Sequence, residues 1–95
     1  VECCSDSYHE YRGVAVSMFC DDAIKLATDF LQAAREHNLT FACAESCTGG
    51  LIGALLTSIS GASDVFTHGF ITYANEAKTS MLGVPAELIE THGAV

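Results

Sequence analysis

The stretch "FACAESCTGGLIGALL", residues 41–56, most narrowly limits what this chain can fold into, because a short apolar run passes there directly into a glycine-rich helical pattern. Residues 40–44 read as a buried strand, although Ala and Cys favour strands less than Val or Ile would. Residues 48–60 read as a helix bearing Leu51, Ile52, Leu55, Leu56 and Ile59, and Gly61 ends it. Its small residues, Gly49, Gly50, Gly53 and Ala54, suit close packing on a sheet. A second strand is expected at 65–74, "VFTHGFITYA", with Phe66, His68 and Phe70 on one face.

The flanks supply helices. Over residues 21–37, Ala23, Leu26, Phe30 and Ala33 recur at helical spacing beside Ile24, Ala27, Leu31 and Ala34, a broad apolar stripe. Asp21 is the expected N-cap, and Asn38 a left-handed C-cap. Asn75 is the expected cap of a short helix through Leu82 that Gly83 closes, and Pro85 starts another turn through about Thr91. Helix, strand, helix, strand, helix is an α/β order. Residues 1–17 have mixed polarity and no sustained period, so they read as a tail with a short strand at 14–16, ahead of one domain over 18–95.

A chain of 95 residues holds a single domain with a modest core, so an active site here is shallow or completed by another chain. Two strands make a thin sheet, which points to a partial domain or a larger assembly, a homo-oligomer included. Four Lys and Arg against 12 Asp and Glu give a net charge of −8, which disfavours nucleic acid as a partner. No apolar run reaches the roughly 18–20 residues that cross a bilayer. Five cysteines without a paired framework, and no signal-peptide pattern, fit a reduced, cytoplasmic setting. Cys3, Cys4 and His9 do not make a zinc site, since adjacent thiols rarely close a tetrahedron. No metal or cofactor is expected.

In open α/β sheets ligands sit beyond the carboxyl ends of strands, where "ESCTGG" falls. Ser46 would project from the turn, and the N–H groups around Thr48, Gly49 and Gly50 would be free, as the first turn of a helix has no internal acceptors for them. Such donors hold an anion or a developing oxyanion. The G-x-S-x-G elbow is absent, because Ala44 and Thr48 stand where its glycines would be, and no Lys follows the glycines as in a P-loop. A helix start made of small residues for packing alone explains the same letters. A serine nucleophile needs a base; His37, His68 and His92 are candidates that equally read as caps or packing residues, and Lys78 is the other.

The motifs "AESCTGG" and "YANEAKTSMLGV" together resemble the start of the CinA C-terminal domain family, the nicotinamide mononucleotide amidohydrolases, over about residues 19–95. Met18 falls where a standalone member would begin. The resemblance implies a three-layer α/β/α domain, here truncated to roughly its first half, that hydrolyses the carboxamide of nicotinamide mononucleotide to nicotinic acid mononucleotide and ammonia. The family's serine nucleophile falls on Ser46 and its lysine base on Lys78. Thr48, Gly49 and Gly50 match the family's turn, and Tyr73 and Asn75 the segment leading to the lysine, as substrate-binding positions. Glu45 is expected to be structural or orienting, and Cys47 a small buried filler. Family domains run longer, with a Gly- and Pro-rich loop and further strands in their second half, so low activity is expected of this chain as given. A nucleotide-binding or regulatory module without chemistry, and a fragment that does not fold alone, are the competing expectations.

Overall fold

The computed structural model describes residues 18–94. The tail expected at 1–17, with its strand at 14–16, lies outside the described residues, as do Cys3, Cys4 and His9. In chain order the elements are α1 (Asp21–Glu36), β1 (Phe41–Glu45), α2 (Leu51–Thr57), a 3-10 turn (Ala62–Asp64), β2 (Phe66–Ile71), α3 (Asn75–Leu82) and α4 (Ala86–His92). This is the α/β alternation that the apolar periods predict.

Element ends follow local chemistry. Cys20, not Asp21, is the N-cap of α1, and both Asp21 and Asp22 lie in its first turn, where negative charge is favoured by the helix dipole. At the other end Asn38 takes φ 55°. The Asn38 N–H donates to Arg35 O at 3.1 Å and the Leu39 N–H to Ala34 O at 2.9 Å, which closes α1 as a Schellman motif. Helix α2 begins three residues later than expected because Gly49 and Gly50, at φ 62° and 102°, are left-handed and cannot be part of a right-handed helix. Strand β2 stops at Ile71 because its partner ends at Glu45.

The core joins Ala27, Leu31 and Ala34 of α1 to Leu56 of α2 and to Ala62 and Val65 ahead of β2. Leu31 is fully buried, a contribution of about 2 kcal/mol on ordinary transfer values. The predicted stripe on α1 divides: its Ala27–Leu31–Ala34 side packs, whereas Leu26 is 71% and Phe30 50% exposed. Phe30 still meets the edge of Phe41 at 4.8 Å. Arg35 ties the end of α1 across to the 3-10 turn, donating from Nε to Asp64 at 2.7 Å and from Nη2 to Gly61 O at 2.9 Å.

Strands β1 and β2 pair in parallel, Phe41 with Phe66, then Ala42 with His68, Cys43 with Gly69, Ala44 with Phe70 and Glu45 with Ile71. The register slips between Phe41 and Ala42, so Thr67 is an extra residue on β2. That bulge corrects one expectation: Phe66 does not share a face with His68 and Phe70. It stacks on Phe41 at 5.1 Å, while His68 and Phe70 meet edge to face at 5.3 Å. Because the pairing is parallel, the turn before α2 and the segment before α3 leave the sheet at the same edge, where the Thr72 N–H donates to Glu45 O at 2.8 Å. Among the described residues no helix is long and apolar enough to cross a membrane.

Candidate active site

The first residue beyond β1 is Ser46, half-buried at the head of the turn that leads into α2. The turn is shaped by the residue before it. Glu45 is only 5% exposed, and its Oε1 accepts from Thr48 Oγ1 at 2.7 Å, from the Ile52 N–H at 3.0 Å and from the Gly50 N–H at 3.2 Å. Its Oε2 accepts from the Gly53 N–H at 2.9 Å and from the Cys43 thiol at 3.5 Å. The Thr48 hydroxyl above all, then the N–H groups of Gly53 and Ile52, hold the carboxyl at about 2 despite the opposing effect of burial. An ionised carboxylate is the only side chain with acceptor sites for so many donors and none of its own.

These bonds overturn the expectation that the N–H groups of Gly49 and Gly50 are free. Gly49 donates to Ser46 O at 3.0 Å, Leu51 to Thr48 O at 3.1 Å, and Gly50 to Glu45. The start of α2 offers no capping side chain of its own, as Gly50 stands at the N-cap, so the acceptor comes from the strand. That missing cap is the sequence signal from which the reach of Glu45 was readable. Among the described residues nothing accepts from the N–H groups of Cys47 and Thr48.

Cys47 is exposed, not buried, because the turn carries it out past the end of the sheet. The packed thiol is that of Cys43, which lies against Gly69, where an added Cβ would stand 2.9 Å from Sγ. Burial, and then the neighbouring Glu45, push the Cys43 thiol up from its ordinary value.

Lys78 lies on α3, half-buried, and its Nζ donates to Asn75 Oδ1 at 3.1 Å and to Ala94 O at 3.3 Å. The second contact has no signature in the sequence. Lys78 also borders a cleft of about 270 Å³ with Val84, Leu88 and His92, whereas the larger cleft of about 460 Å³ lies between Asn75, Glu76 and Thr79 of α3 and Ala86, Ile89 and Glu90 of α4. Ser46 lines neither. Tyr73, 74% exposed, stands on the segment joining β2 to α3. No hydrogen bond among the described residues joins Ser46 to Lys78. The structure therefore gathers Ser46, Thr48, Gly49 and Gly50 into one turn, and Tyr73, Asn75 and Lys78 into the segment that leaves the same sheet edge. Of the histidines, His37 caps α1 through Nδ1 against Ala33 O at 2.9 Å and His68 Nδ1 pairs with Thr67 Oγ1 at 2.9 Å.

Comparison with known proteins places this geometry. Residues 23–95 match the model of the CinA C-terminal domain. A CinA-like protein of Citrifermentans bemidjiense is 50% identical over 78 residues, which are 82% of this chain and 19% of that protein. One from Colwellia psychrerythraea is 50% identical over 80 residues, 84% of this chain and 18% of the relative. Among solved structures, the competence/damage inducible protein CihA from Agrobacterium tumefaciens superposes with a TM-score of 0.80 at 47% identity, over 83% of this chain and 48% of that one. A CinA superfamily protein from Escherichia coli gives 0.76 at 26% identity, over 85% of this chain and 48% of its own. The chain thus spans about half the length of these structures and about a fifth of the curated relatives. The α/β arrangement of helices on a small sheet is theirs over that span. The chain belongs to the CinA C-terminal domain family.

Proposed function

We propose that this chain carries the nucleophile and the base of an amidohydrolase that converts nicotinamide mononucleotide and water to nicotinic acid mononucleotide and ammonia. One observation carries the reading: the parallel register sends the Ser46 turn and the segment leading to Lys78 out over the same sheet edge. In this reading Ser46 Oγ attacks the carboxamide carbon as Lys78 takes its proton. The tetrahedral oxyanion is met by the N–H groups of Cys47 and Thr48, since those of Gly49 and Gly50 are engaged. Collapse expels ammonia with the proton from Lys78, and water then cleaves the acyl ester by the same path in reverse order, freeing Ser46. Tyr73 and Asn75 border the entry to this edge and suit the nucleotide.

Ammonia release from nicotinamide mononucleotide, measured for this chain and for a chain extended to the full length of the family domain, tests the reading. Ser46→Ala in the extended chain is expected to abolish release; a rate equal to the unsubstituted protein refutes it.

A second reading is a nucleotide-binding module without turnover. It is favoured by the contacts of Lys78 Nζ, which go to Asn75 and Ala94 and not to Ser46. Saturable binding of nicotinamide mononucleotide with no ammonia from the extended chain would select it.

A further inference from the structure

Glu45 is held at both of its ends. Its main chain is fixed in the ladder opposite Ile71, with its carbonyl accepting from Thr72 at 2.8 Å, and its carboxylate reaches forward to Thr48, Gly50, Ile52 and Gly53. Ser46 and Cys47 are the residues enclosed between these anchors. The path of the Ser46 main chain is thus held by the buried Glu45 carboxylate together with the Gly49 N–H on the Ser46 carbonyl, and a shift of the turn breaks bonds to that carboxylate. Each oxygen is used, so the constraint is directional as well as electrostatic.

The same bonds sort the donors of the turn. Three N–H groups at the start of α2 end on Glu45, and the two left over, those of Cys47 and Thr48, follow Ser46 directly. In serine hydrolases the N–H following the nucleophile is a regular oxyanion donor. A negative charge seated on the helix start also offsets the positive end of its dipole, so a substrate anion is not drawn there in place of the reacting carboxamide.

Resting on the amidohydrolase reading above, we propose that Glu45 is a positioning residue for the reaction at Ser46: its carboxylate fixes the nucleophile's turn and assigns the N–H groups of Cys47 and Thr48 to the oxyanion. Glutamine is the informative replacement. It keeps the length of the side chain but turns an NH2 toward one set of backbone donors, leaving N–H against N–H. Thr48→Val removes only the 2.7 Å hydroxyl bond and keeps the shape of the residue.

The test is steady-state ammonia release from nicotinamide mononucleotide by the chain extended to full domain length, with kcat expressed per folded molecule. Misplacing a reacting group by about 1 Å costs on the order of a hundredfold, so Glu45→Gln is expected to lower kcat roughly 10- to 100-fold with KM within about twofold. Thr48→Val should move kcat in the same direction by a smaller factor. A residue that only stabilised the fold would lower the folded fraction and leave kcat per folded molecule untouched. An unchanged kcat in folded Glu45→Gln, while Ser46→Ala is dead, overturns the proposal and leaves the amidohydrolase reading standing. If Glu45→Gln does not fold, an unchanged kcat in Thr48→Val overturns it in the same way, and full activity in Ser46→Ala overturns both.

Discussion

Asn75 Oδ1 accepts a hydrogen bond from Lys78 Nζ at 3.1 Å, one turn apart on α3. The amide oxygen thereby orients the amine without adding charge beside it. In Asn75→Leu that acceptor is lost while the bulk of the side chain is kept, so the amine is no longer held toward the start of α3. On the amidohydrolase reading, kcat for ammonia release by the extended chain is expected to fall roughly 10-fold in Asn75→Leu. An unchanged kcat would mean that the bond to Asn75 does not position the amine for the reaction.

Glu45 makes stability depend on acid. Its carboxyl is held at about 2 in the fold, against 4.5 for an ordinary glutamate, so the unfolded chain takes up that proton first as pH falls. The contribution is complete above 4.5 and drains away as pH drops toward 2. Asp64, held below its ordinary value by the Arg35 guanidinium, adds a slope of the same sign. Thermal unfolding followed between these limits should show a shallower fall of Tm with acid in Glu45→Gln; parallel curves would contradict the assignment.

Gly69 faces Cys43 so closely that a methyl group there meets Sγ at 2.9 Å and the Cys43 carbonyl at 3.7 Å. Gly69→Ala should destabilise by about 1–3 kcal/mol, as overpacking does. The sulfur is the nearer obstacle, so adding Cys43→Ala should recover much of the loss, a coupling that denaturant unfolding of the double-mutant cycle would measure. Strict additivity of the two changes would place the strain elsewhere.

The cysteines differ in reach. Cys47 is exposed, Cys43 is half-buried with its thiol pushed up, and Cys20 is buried. Among these three, iodoacetamide at neutral pH should modify Cys47 first and Cys20 only on unfolding, as read by peptide mass spectrometry. An adduct on Cys47 stands next to Ser46 and is expected to suppress ammonia release; a labelled and fully active protein would show that the turn does not border the reacting carbon.

Much of this was legible in the letters wherever one residue type answers one backbone need. Asn38 could be placed in the left-handed region at the end of α1, and Gly83 closes α3 where it was expected, because such caps are local. Asn75, expected to cap α3, is instead its first helical residue, and Ala74 stands at the N-cap without a side-chain bond. The division of the α1 stripe was not legible, since periodicity tells which residues share a face and not which part of it finds a partner. Nor was the bulge at Thr67, which reverses Phe66 without altering the composition of the strand. At the candidate site, Ser46 and Lys78 are proposed from the paired motifs. The engagement of Gly49 by the Ser46 carbonyl was hidden because a main-chain bond within a turn leaves no mark in residue type, whereas that of Gly50 by Glu45 had its signal in the glycine at the N-cap of α2.

The parallel ladder also sets the order in which the chain can assemble. The Thr67 hydroxyl donates across the strands to Phe41 O at 3.1 Å, 26 residues away in sequence, and α2 lies between. No hairpin can start such a sheet; the intervening loop must close first, at an entropic cost that grows with its length, before any cross-strand bond offsets it. Docking of α2 on α1 around Leu56 and Leu31 shortens that search. A chain leaving the ribosome therefore cannot close the ladder that flanks Ser46 until Ile71 has emerged, so the Ser46 turn takes its final path only after β2 has been made.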